Sequence, residues 1–352
     1  MNKDVLVVGG GITGITCALE LAQAGVGVHL IEKASSVGGL SASFACKATE
    51  ECNMCSVCVS AEKIKEAQES EIIRIMPNCS IDKLDGTVGD FSVSLYQSRD
   101  TGHSGEKHSI RVGAVILATG AEVFDARKKA LLGYGRFAGV ITGLDLETLL
   151  APGGIPTLPS KSQPPKRVAF IQCVGSRDEN INQGYCSQVC CKYAMRMARV
   201  LMHRFPEIKI TIFYIDLQTA GKGFKEFFEE CQTKIEFIQG IPAKVSEFSD
   251  GVLEVKYDDI ARGKFSKQSF DIVVLSVGIV SSSDAKTLAR ILGINRDRYG
   301  FFNNNGSTNS VETNREGIFV AGTCQGPKDI TQSMAQAGLA TAQVLSLLQI
   351  KT

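Results

Sequence analysis

The chain has 352 residues and balances 38 Lys and Arg against 37 Asp and Glu, so it offers no field to attract a polyanion, which excludes a nucleic-acid partner. Only 9 prolines occur, and the 35 glycines gather at a few places, which excludes a low-complexity or collagen-like chain and leaves room for two globular domains. Twelve cysteines would suit a secreted disulfide scaffold, but Asp4 interrupts the amino-terminal apolar run before it could act as a signal sequence. The expectation is a reducing, cytoplasmic setting, where clustered thiols serve as metal ligands or redox groups.

Val5 to Val8 is a short apolar strand that runs into Gly9-Gly-Gly11-Ile12-Thr13-Gly14. In this pattern the first glycine makes a tight turn, the second lets a pyrophosphate approach the backbone, and the third lets a helix pack on the strand. Ile12, Ile15, Leu19 and Ala22 keep helical spacing, and Gly25 is placed to end the helix. Val26, Val28 and Leu30 then alternate as a second strand ending at Glu32, followed by Lys33. Glu32 stands 18 residues past Gly14, where a carboxylate can accept both ribose hydroxyls and would repel a ribose phosphate. This predicts FAD or NAD rather than NADP, with the pyrophosphate at the positive end of the helix that starts at Ile12.

Gly38 and Gly39 form a second glycine pair, followed by Cys46, Cys52, Cys55 and Cys58, spaced 6, 3 and 3 apart. The run reads as an iron-sulfur or zinc site, as a CxxC dithiol at Cys52 and Cys55, or as free or structural cysteines. Residues 62–71 read as a charged helical face, 72–75 and 91–96 as strands, and 102–107 as a hairpin tip. A buried strand over 112–117 ends in Ala118-Thr119-Gly120.

Prolines and glycines crowd residues 152–165, which predicts a linker. The strand over 168–171 leads into Cys173, Cys186, Cys190 and Cys191, spaced 13, 4 and 1 apart, where a second glycine-rich nucleotide loop would be expected. These thiols converge only if the segment folds back, as a thiolate-bound soft metal centre would require. Further strands are expected over 209–215 and 270–277, and helix over 225–232. Residues 317–322 read as strand and glycine turn, leading through Asp329 and Ile330 into a long helix whose first amides could face a flavin. That stretch, 330–350, has no charged side chain but carries four Gln and Gly338, so a buried helix is expected rather than a membrane span. The histidines at 29, 103, 108 and 203 show no ligand spacing.

Together these elements predict an α/β, two-dinucleotide-binding-domain flavoprotein. Residues 1–150 and 281–352 would form a discontinuous FAD domain, and 151–280 an inserted α/β domain carrying the cysteine cluster.

The motifs GGGITG at 9–14, FIQCVGSRD at 170–178, YCSQVCC at 185–191, IFYIDLQTAGKGF at 212–224 and AGTCQGPKDI at 321–330 resemble the flavin-binding core of the heterodisulfide reductase A subunits. That family belongs to the glutathione reductase and thioredoxin reductase group of folds. The resemblance implies FAD held by Gly9, Gly11, Ile12, Thr13, Gly14, Glu32, Lys33, Gly38, Gly39, Ala118, Thr119, Gly120, Gly322, Asp329 and Ile330. It also implies a 4Fe-4S cluster on Cys173, Cys186, Cys190 and Cys191. Adjacent Cys190 and Cys191 favour that cube over zinc, because neighbouring thiolates fit one tetrahedral ion poorly.

Two departures stand out. No CxxCxxCxxxCP run occurs, so the ferredoxin-type clusters of the family's longer members are not expected, and the second GxGxxG is absent, so no direct NAD(P)H site is expected. The short form looks most like that of Hdr-like sulfur-oxidation complexes, which implies partner subunits resembling the other heterodisulfide reductase components, a lipoate-binding protein, and a homodimer. Arg196, five residues past Cys191, is a candidate for favouring an anionic flavin. The rival reading is an NAD(P)H-dependent flavin disulfide reductase using Cys52 and Cys55. A third is a zinc-holding scaffold.

Overall fold

The computed structural model describes residues 2–98, 105–150, 164–218, 221–303 and 311–350, so most of the expected linker and hairpin tip lie outside the described residues. The chain forms two compact units, one of Met1–Ser43, Ser56–Glu122 and Val280–Thr352, the other of Phe44–Cys55 and Val123–Ile279.

In the first unit β1 (Val5–Val8) turns into α1 (Ile12–Gln23), which returns through β2 (Val28–Ile31), a short α2 (Gly39–Ala42) and α3 (Val57–Glu69) to β3 (Ile73–Met76). An antiparallel meander follows, β4 (Cys79–Thr87), β5 (Asp90–Gln97) and β6 (Glu106–Val112), and then β7 (Ala114–Leu117). The second unit holds β8 (Val140–Thr142), α4 (Gly143–Leu150), β9 (Arg167–Val174), α5 (Cys190–Arg204), β10 (Lys209–Tyr214) and α6 (Phe224–Gln232). Its chain continues through β11 (Glu236–Glu247), β12 (Leu253–Asp259), β13 (Lys264–Phe270) and β14 (Ile272–Val277). The first unit is then completed by α7 (Ala285–Leu292), β15 (Ile318–Val320) and α8 (Ile330–Leu347).

The first unit's parallel sheet has the order β15-β7-β1-β2-β3. Alternation along β1 sends Val5 and Val7 into a core with Ile15 and Leu19 of α1 and Ala337 and Ala340 of α8. Leu6 and Val8 go to the other face, against Phe91, Val93 and Leu95 of the meander and Leu288 of α7. Both faces are covered, which is why the strands read as continuous apolar runs. α8 buries one face, as its uncharged composition predicts, and no helix among the described residues is long and apolar enough to cross a membrane.

The second unit's sheet has the order β13-β12-β11-β10-β9-β14-β8, parallel from β8 to β11 and antiparallel beyond. Val168 and Phe170 of β9 pack with Ala194, Ala198 and Leu201 of α5 and with Leu146 and Leu150 of α4. β8 and α4 thus belong to this unit although they precede residue 151, where the inserted domain was expected to begin.

The excursion Phe44–Cys55 is the less expected part of the unit. It is secured by Lys47 and Glu147, each 2% exposed, paired at 2.6 Å. The same carboxylate accepts from Ala45 N at 3.0 Å, while Lys47 Nζ also donates to Ala45 O and lies 5.9 Å from the centres of the Phe44 and Tyr193 rings. Burial, then the Glu147 carboxylate, holds the Tyr193 hydroxyl far above its usual range, so it stays protonated. Further along, Arg196 on α5 donates to Met54 O at 2.7 Å. A buried pair costs most when only one partner is removed, because the survivor keeps its charge without compensation. Lys47→Met is therefore expected to lower stability by about 3–5 kcal/mol, and Glu147→Leu added to it to recover most of that loss, as measured by urea unfolding.

Candidate cofactor and thiol sites

At the carboxyl ends of β1, β2, β7 and β15 the first unit builds a nucleotide cradle. Gly9 has φ +108°, and a Cβ there would sit 2.4 Å from Ala118 O; at Gly14 it would meet Gly9 O at 1.9 Å. These two glycines serve the packing of the turn on its neighbours. Gly11 differs: its φ of −77° is open to any residue, and a Cβ would meet nothing nearer than Gly39 Cα at 4.0 Å. Here a ligand, not the chain, needs the room. Gly11 also starts α1 with no side-chain cap, leaving first-turn amides to face an anion. Gly38 and Gly39 close on this turn, through Gly38 N to Gly10 O at 2.6 Å.

Glu32 ends at the tip of β2, its two oxygens accepting from Gly10 N at 2.7 Å and Ala34 N at 2.8 Å, with lone pairs left for hydroxyl donors. Lys33 instead points to Asp284, at 2.9 Å. Ala118, Thr119 and Gly120 (φ +72°) follow β7. Gly322 follows β15, its N donating to Gln336 Oε1 at 2.7 Å, and leaves no space for a Cβ against the buried Thr13. Ile330 opens α8. Asp329 caps it, accepting from Gln332 N at 2.7 Å while Gln332 caps back. The first amides of α8 are thus partly taken up by the chain's own carboxylate, a capping box that Asp329-Ile-Thr-Gln332 carries in sequence. Beside it Lys328 is partly buried, and burial pulls its pKa below the usual range. Sequence reading passed over this lysine, because nothing in its spacing marks it.

The cradle suits the pyrophosphate and ribose of FAD. Gly11→Ala is expected to fold normally, since its Cβ meets no protein atom nearer than 4.0 Å, but to purify with less flavin; the flavin-to-protein absorbance ratio and the unfolding midpoint of the apoprotein check this.

The second unit gathers the other thiols. β9 keeps parallel register with β10 and β14 through Ile171, then shifts before Val174. Cys173 falls in this irregularity with φ +60°. Arg177, Asn182 and Gln188 also hold left-handed backbones before α5 begins at Cys190, strain that the surrounding bonds must impose. Those bonds include Arg177 N to Tyr185 O at 2.9 Å, Tyr185 OH to Ile279 O at 2.8 Å and Ile279 N to Ser187 Oγ at 2.8 Å. Gln188 N points at Cys186 Sγ, 3.3 Å away.

Cys173, Cys186, Cys190 and Cys191 end close enough that every pair interacts electrostatically. Burial first, then Cys191, pushes the Cys173 thiol up to about 11, and burial followed by Cys173 pushes Cys190 further still. Cys191 is raised by burial too, opposed by the Gln218 amide and the Arg177 guanidinium. Arg177 forks onto Asp216, with one arm at 2.9 Å, on the rim of the group. Among the described residues no three His, Cys, Asp or Glu side chains are arranged to hold a single metal ion. In a cubane each thiolate would take its own iron, so four such thiols need not meet at a single ion.

Of the other cysteine set, Cys46, Cys52 and Cys55 lie in the second unit and Cys58 in the first. Cys46 and Cys52 are exposed, each with the amide two residues on directed at its sulfur, at 3.4 Å. Arg196 reaches Met54, between Cys52 and Cys55, a partner on the thiol-bearing segment that spacing along the helix did not reveal.

Residues 3–145 match the family described as pyridine nucleotide-disulphide oxidoreductase. Among solved structures, thioredoxin reductase of Lactococcus lactis superposes with TM-score 0.63 at 18% identity, covering 99% of both chains. The T. acidophilum thioredoxin reductase gives 0.62 at 17% identity and 97% of both. The chain thus has the fold of the two-dinucleotide-binding-domain flavoproteins.

More specifically, it is 32% identical to the A subunit of the H(2):CoB-CoM heterodisulfide,ferredoxin reductase of Methanothermobacter marburgensis, over 97% of this chain and 63% of that one. It is 34% identical to a second such protein, the A 2 form of the iron-sulfur subunit of CoB--CoM heterodisulfide reductase from Methanopyrus kandleri, over 99% and 65%. Over nearly its whole length the chain is similar to heterodisulfide reductase A subunits, and it spans just under two thirds of the length of these relatives.

Proposed function

We propose that this protein is the FAD- and 4Fe-4S-carrying electron-transfer subunit of a heterodisulfide reductase-like complex acting in sulfur metabolism. The observation that carries the reading is the convergence of Cys173, Cys186, Cys190 and Cys191. When bound, FAD supplies the exchange between two-electron and one-electron chemistry, and the cluster supplies one-electron steps.

The chain's part is to bind and insulate. Gly11 admits the pyrophosphate, Glu32 takes the ribose hydroxyls, and Lys328 brings positive charge beside α8. At the thiols, buried walls exclude water, while Arg177 and the amides of Gln188 and Gln218 offset the negative charge that four thiolates would gather. The Methanopyrus relative carries the name of an iron-sulfur subunit, which agrees with this reading. We assign as partners the remaining subunits of such a complex and a lipoate-binding protein, with a homodimer as the resting form.

Anaerobic preparation followed by iron, sulfide and flavin assay and electron paramagnetic resonance tests the proposal. The native chain is expected to give a reducible cubane signal that Cys190→Ala abolishes while flavin content holds. Flavin bleached rapidly by NADH in iron-free protein would favour the Cys52/Cys55 disulfide reductase instead.

A further inference from the structure

Gln172 precedes Cys173 on β9 and is 7% exposed, yet neither its Oε1 nor its Nε2 has a hydrogen-bond partner. Two unpaired amide groups in a core are costly unless something else meets them.

Its place is at the edge of that core. Val168 and Phe170 face the core under α5, and Gln172 lies two residues further along, just past Ile171, where the pairing with β14 goes out of register. The flanking strands carry Ile212 and Val274, the register partners of Phe170, into that same core. Because α5 runs back along the sheet from the end of β9, its first turn lies over the strand ends. That turn is Cys190 and Cys191, and Cys191 is itself part of this core, while Cys190 Sγ approaches Val277 O at the end of β14. Gln172 and Cys173 together occupy the register break of β9 between Ile171 and Val174, with Cys173 held left-handed there.

We propose that the Gln172 carboxamide is a cluster-contacting group, its Nε2–H donating to a sulfur of the 4Fe-4S centre and raising that centre's reduction potential. The inference rests on the cluster reading above. An N–H donor beside cluster sulfur stabilises the more negative, reduced state, so its removal makes reduction harder. No side chain that only fills space would act on the potential in this way.

The test is a redox titration of anaerobically prepared wild type, Gln172→Met and Gln172→Glu, followed by electron paramagnetic resonance, with iron and flavin counted in each. Methionine keeps the length and removes the donor; glutamate replaces it with a negative charge and serves where methionine fails to fold. Both variants are expected to hold wild-type iron and flavin, to titrate at a lower potential than wild type, and to show altered g-values. The metal-free methionine variant should be no less stable than the metal-free wild type, since no protein partner is lost. An unchanged potential in a loaded variant overturns the inference by showing no contact, and a folded variant that loads no iron overturns it by showing a purely structural role. A wild type that binds flavin but never iron overturns the cluster reading itself, and this inference with it.

Discussion

The arrangement turns on a conflict between burial and charge. Four thiols are drawn together at one end of a sheet, and burial opposes ionisation of three of them, pushing Cys173 up to about 11, Cys190 higher, and raising Cys191. Only thiolates bind iron, so a ligand set of this kind must be neutralised by the metal it takes up. In the chain alone Cys173, Cys190 and Cys191 stay protonated, and the strained backbone from Cys173 to Gln188 holds the segment in place. Arg177, tied to Asp216, supplies a fixed positive charge that acts on Cys173 and Cys191.

Both units use the same device, a strand that ends in a tight turn and leads into a helix start. In the first unit glycine lines the turn, because the ligand's pyrophosphate must touch backbone. In the second unit cysteines occupy the equivalent turn, and the backbone is forced left-handed at Cys173 and Gln188 without glycine's help. The same architecture thereby presents bare amides in one place and, on the proposed reading, sulfur to a soft metal in the other. The excursion Phe44–Cys55 adds a further set of thiols to the second unit, fixed there by the buried Lys47–Glu147 pair.

Much of this was legible in the sequence, for local reasons. Apolar runs marked the parallel strands, GGGITG with Glu32 marked the first turn and its carboxylate, and the spacing of Cys173, Cys186, Cys190 and Cys191 marked a segment that folds back on itself. What escaped was non-local. Nothing in AlaCysLysAla predicts that Lys47 buries its ammonium against Glu147, 100 residues away, or that the segment leaves the unit of its chain neighbours. Proline content drew the boundary to residue 151, whereas the contacts of β8 and α4 put those elements in the second unit. Gln172 could not be singled out either, since a glutamine next to a cysteine says nothing until its place in the strand and missing partners are known.

The most direct test of the central claim is Mössbauer spectroscopy of the iron-57-labelled protein prepared without oxygen. The account predicts about four iron and four sulfide per chain in one exchange-coupled, all-sulfur site, ligated by Cys173, Cys186, Cys190 and Cys191. Isolated high-spin iron with nitrogen or oxygen ligands, or a zinc-filled site with no coupled iron, would contradict it.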